Sequence, residues 1–245
     1  MKFIGVAFCF FCVIFSSVAQ QDYVRNVVRK GNQVYLHGFR PQNQKGNTCS
    51  FYSTSMILAY YGRYIRPEKL KRKGNIVSSG TRKSSQFMAQ KLKSLGFEFI
   101  IISDKNKELF SEIVKYSIDN GIPLRWSCNM RFSPVKKERS NSSHARIITG
   151  YIKGGNKITH IFYTDSWGAK HMNKTMTFDQ AAKMTNRYGP VFPKKDNQQY
   201  FEQIHSIIEQ YVPKRQTSVS SSEDIEEDWG GAIEERNRGK NASSL

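Results

Sequence analysis

Residues 144–165 read HARIITGYIKGGNKITHIFYTD, two apolar, β-branched runs at 146–152 and 158–164 joined by Gly154-Gly155-Asn156. Two such runs around a glycine-rich turn make a β-hairpin. The hairpin commits this part of the chain to an antiparallel sheet. Short strand-type runs also occur at 23–28, 34–36, 97–102 and 122–128. Helical spacing marks four other segments. At 49–61, Met56, Ile57 and Tyr60 share one face with Ser53 and Cys49, and Gly62 ends the helix. Further amphipathic helices are predicted at 84–95, 106–120 and 198–212. Helices lead and strands follow, so the fold class is α+β rather than alternating βαβ units.

The opening residues, MKFIGVAFCFFCVIFSSVAQ, combine Lys2, an apolar stretch and small residues at Ser17 and Ala19. This is a signal-peptide pattern with cleavage after Ala19, which gives 1–19 as signal and predicts a secreted or periplasmic protein. Removal of the signal leaves Cys49 and Cys128 as the cysteines of the mature chain. Residues 20–215 form one domain, and 216–245 is an acidic, serine-rich tail expected to be disordered. The tail holds seven acids and three bases, leaving 34 bases against 13 acids in 21–215, a net +21. Basic clusters lie at 66–73, 131–139 and 194–195. Such charge in an exported domain predicts contact with an anionic cell-surface polymer. No nucleic-acid or zinc motif occurs, and His and Cys lack metal-ligand spacing, so neither metal nor cofactor is expected. After the opening stretch nothing is apolar enough for an integral membrane domain.

Four residues carry candidate chemistry. Cys49 begins a predicted helix, where the dipole and unpaired N–H groups stabilise a thiolate. His144 begins a strand and is placed to exchange a proton with that sulfur. Asp165 ends the partner strand. A register in which paired positions sum to 309–311 sets it opposite His144, where it can orient the imidazole. Gln44 precedes Cys49 by five residues, and its amide and the Cys49 N–H can together donate to an oxyanion. Gln42 competes for that place.

The ordered set Pro41, Gln44, Cys49, the helix ending Tyr60-Tyr61-Gly62, Gly121-Ile122-Pro123, His144-Ala145-Arg146 through Gly150-Tyr151, and Asp165-Ser166-Trp167-Gly168 spans about residues 35–172. It resembles the papain-like cysteine peptidases, above all the bacteriocin leader-peptidase family and its exported relatives without a transporter domain. The resemblance implies a nucleophile helix packed on an antiparallel sheet and hydrolysis of a peptide or protein substrate. It makes Cys49 the nucleophile, His144 the base and acid, Asp165 the orienting residue and Gln44 the oxyanion donor, with Trp167 shielding the His–Asp bond. Ser50 stands where relatives often carry Gly or Trp. A non-catalytic papain-fold binding module and a transglutaminase-type amidase or acyltransferase are the alternatives.

Overall fold

The computed structural model describes residues 26–71, 82–195 and 198–212. The expected signal, the acidic tail, the end of the 66–73 cluster and the start of the 23–28 strand lie outside them. Among the described residues, eight strands form one antiparallel sheet, with helices packed against it. This is the predicted α+β architecture of papain-like peptidases.

A first hairpin joins β1 (Val27–Lys30) to β2 (Gln33–Leu36). Helices α1 (Cys49–Tyr60), α2 (Pro67–Leu70) and α3 (Arg82–Ser94) follow. Then come β3 (Phe97–Phe99), α4 (Lys107–Asp119) and β4 (Leu124–Asn129). The predicted hairpin forms as β5 (Ser143–Gly154) and β6 (Lys157–Thr164). The chain closes with β7 (Lys174–Thr177), α5 (Phe178–Met184), β8 (Thr185–Pro193) and α6 (Gln198–Tyr211).

Strand β5 organises the sheet. It pairs with β4 over its first half, with β2 over Gly150–Ile152 and with β6 on its other side. A Cβ at Gly150 would lie 2.6 Å from both the Tyr35 Cβ and the Val34 carbonyl oxygen, so only glycine admits this close approach of β2.

Helix α1 departs from the one-sided pattern. Met56, Ile57 and Leu58 are fully buried, but so are Ser53, Thr54 and Ser55 on other faces. Their hydroxyls are satisfied by the Ser50 carbonyl (Ser53 and Thr54) and the Ile65 carbonyl (Ser55). A central helix can therefore carry a hydroxyl-rich face without unpaired buried groups. Its C-terminal end is anchored by Tyr60 and Tyr61, whose phenols donate to the carbonyls of Gly121 and Val191 at 2.9 and 2.7 Å. These bonds fix α1, and so Cys49, against the chain that leads into β4 and against β8.

Candidate active site

Cys49 is the first residue of α1. The preceding Thr48 turns its hydroxyl back to the Lys45 carbonyl and makes no side-chain cap. The helix N-terminus is thus left to act on the sulfur. The backbone N–H of Ala145, on β5, donates to Cys49 Sγ at 3.3 Å. Cys49 is 2% exposed and forms no disulfide with Cys128.

His144 sits beside it. Its Nε2 meets Asp165 Oδ1 at 2.7 Å, leaving Nδ1 for the Cys49 side chain, with which it also hydrogen-bonds. Burial alone would lower the imidazole pKa. Hydrogen bonds and charge interactions with Asp165 and Cys49 outweigh it and raise the value to about 9. At neutral pH the ring therefore carries its proton and faces the Cys49 side chain as an imidazolium. Trp167 stacks on the ring with centroids 4.4 Å apart and planes 24° from parallel.

The register corrects the sequence reading in one respect. Paired positions sum to 311 beside the turn and again at Ile147 opposite Thr164, and to 312 between the bulges near Ile152 and Ile148. One further step sets Asp165 opposite Arg146, not His144. The carboxylate reaches both, since they lie two apart on one strand face. Arg146 Nε donates to Asp165 Oδ2 at 2.8 Å, and Nη2 donates to Glu138 at 2.9 Å. Burial pushes the Asp165 pKa up, but the His144 and Arg146 bonds and charges overcome it and hold the carboxyl below its usual value. Arg146 is 1% exposed, and its guanidinium lies 4.8 Å from the Tyr163 ring centroid. The sequence reading gave this residue no role. The signal was an arginine at an inward position of an otherwise apolar strand.

Gln44 is carried to the site by its backbone. Its N–H donates to the Ser166 carbonyl at 2.7 Å, Gly168 N–H donates to the Gln42 carbonyl, and Asn43 bridges to Trp167. The segments around Gln44 and Asp165-Ser166-Trp167-Gly168 thus run together. Gly168 takes φ +94°, which favours glycine. The Ser166 hydroxyl donates to Gln44 Oε1, and Gln44 Nε2 gives one N–H to the Gly46 carbonyl. A carboxamide has a second N–H to offer. Gln42, the competitor, instead donates to Ser55 in α1. A cleft of about 200 Å³ brings together Gln44, Cys49, His144 and Trp167, with Met130, Glu138 and serines of the 140–143 loop on its wall. Among the described residues no group of three or more His, Cys, Asp or Glu is placed to hold a metal ion.

Solved structures similar to this chain include two peptidases and a peptidase domain. A C39-like peptidase from Bacillus anthracis is 16% identical, covering 65% of this chain and 97% of its own, with a TM-score of 0.45. A double-glycine-motif protease from an AMS/PCAT transporter, crystallised with its leader peptide, is 17% identical over 68% and 97%, with a TM-score of 0.44. The peptidase domain of Streptococcus ComA, a bifunctional ABC transporter, is 13% identical over 64% and 97%, with a TM-score of 0.41. No curated protein matches the chain. Residues 36–193, which hold the whole Gln44–Cys49–His144–Asp165 cluster, match the model of the Peptidase C39-like family, and the chain belongs to that family of cysteine-type peptidases.

Proposed function

We propose that this chain is an exported cysteine peptidase that cleaves peptide bonds with Cys49, His144, Asp165 and Gln44. The observation that carries this reading is the continuous line from the Asp165 carboxylate through His144 to Cys49 at a helix N-terminus. The Cys49 thiolate attacks the carbonyl carbon of the scissile bond. The second Gln44 N–H and the Cys49 N–H receive the developing oxyanion. As the C–N bond breaks, the amine leaves with the proton of His144. Water then attacks the thioester and gives its proton to His144, and the acid departs as the thiolate re-forms. Asp165 keeps the imidazole oriented throughout, under Trp167. The domain is delivered across a membrane by residues 1–19, and its basic surface holds it on an anionic cell-surface polymer.

The test is cleavage of a quenched fluorescent peptide library by the chain from Gln20 onward. Cys49→Ala and His144→Ala are expected to reduce hydrolysis to background. Gln44→Ala is expected to lower kcat by about 10²–10³, as loss of one oxyanion donor does elsewhere. If the wild type cleaves nothing and its Cys49 alkylates no faster than a model thiol, the catalytic reading is wrong.

A further inference from the structure

The residue after Cys49 leads to a second buried arginine. Arg125 lies on β4 and is 2% exposed. Its Nη2 donates to Ser50 Oγ at 2.5 Å, and the Ser84 hydroxyl donates to the same oxygen at 3.1 Å. Its guanidinium lies 5.5 Å from the Phe99 ring centroid, and its Nε has no partner. Among the described residues no carboxylate pairs with it. Arg146 makes the contrast, held between Asp165 and Glu138. A buried guanidinium without a counter-ion is costly. Burial lowers the Arg125 pKa, and the neighbouring Cys49 charge opposes that fall, leaving it at about 10. The group is therefore cationic at neutral pH, and its hydrogen-bond partner, Ser50, directly follows Cys49 at the start of α1.

We propose that Arg125 is a positioning residue for the Cys49 thiolate: seated on Ser50 at the first turn of α1, its fixed charge keeps the sulfur ionised. The proposal rests on the nucleophile reading above. The titratable and charged groups around Cys49 among the described residues are His144 from β5, Cys128 and Arg125 from β4, and Glu138 on the cleft wall, with Asp165 and Arg146 behind His144. Burial keeps Cys128 a neutral thiol, and Asp165 and Arg146 neutralise each other. His144 surrenders its proton when the amine leaves. Arg125 does not deprotonate, so it is the cation that remains on the sulfur side through every step.

The experiment is iodoacetamide labelling of Cys49 at graded pH, mapped by mass spectrometry, in wild type, Arg125→Met, Arg125→Lys, Ser50→Ala and His144→Ala. Arg125→Met is expected to move the half-reaction pH upward by about one unit and to slow labelling by about tenfold at pH values well below it. Arg125→Lys, which keeps a charge, restores most of the rate. Ser50→Ala, which removes the seat alone, gives a smaller rise. A folded Arg125→Met whose profile superimposes on wild type overturns the proposal. If that variant does not fold, a Ser50→Ala profile identical to wild type overturns it instead. The two readings separate in the controls. Fast, His144-dependent labelling in wild type with no effect at Arg125 removes only the arginine's role. Slow labelling in wild type that His144→Ala leaves unchanged removes the nucleophile reading, and this proposal with it.

Discussion

Asp165 gives one oxygen to His144 and the other to Arg146, so its charge is divided between a ring that must move protons and a guanidinium that cannot. Arg146→Met would leave the buried Asp165 and the half-buried Glu138 beside an apolar side chain. Loss of one partner from a buried ion pair costs about 3–5 kcal/mol, which urea denaturation at neutral pH would read as a lowered midpoint. The raised His144 pKa has a definite sign. Folding favours the protonated ring, so its contribution to stability is complete below about 6.5 and is lost as pH rises through about 9. Peptide hydrolysis is expected to fall over the same alkaline limb, because the leaving amine then finds no proton. A pH–rate profile flat beyond pH 10 would contradict this assignment. His144, Asp165 and Gln44 were legible as residue types in order along the chain. Arg146 was not, because a register read only to within two residues leaves either His144 or Arg146 opposite Asp165, and the structure takes the second.

At the scale of elements, helices with a stop signal were the most readable. Segments ending at Gly62, Gly96 and Gly121 fold close to the predicted bounds. Strand β8 was not predicted, although it lies inside the sheet between β4 and β3. Gly189-Pro190 reads as a strand breaker. In the fold the Pro190 carbonyl accepts from Ile100 N–H, and a Cβ at Gly189 would collide with the Ile100 backbone. The tertiary partner rather than local propensity makes this strand. Gly150 offers the corresponding test on β5. Gly150→Ala forces a Cβ against the β2 backbone and is expected to destabilise by about 1–3 kcal/mol, measured as a shift in urea midpoint. Retention of wild-type stability would mean that β2 yields easily there.

The whole molecule is defined by its charge and by the distance its site spans. With 34 bases against 13 acids in residues 21–215, adhesion to a polyanion is expected to weaken steeply as salt rises. Titration with heparin or poly-glutamate at several ionic strengths checks this, and salt-independent binding would rule out an electrostatic origin. The contact from Ala145 N–H to Cys49 Sγ joins residues 96 apart in the chain. Contacts of that span form late, after the intervening loop has closed. A chain still emerging from the ribosome has its cysteine helix but not yet the strand whose N–H meets the sulfur. Proteolytic competence therefore arrives only with the finished fold.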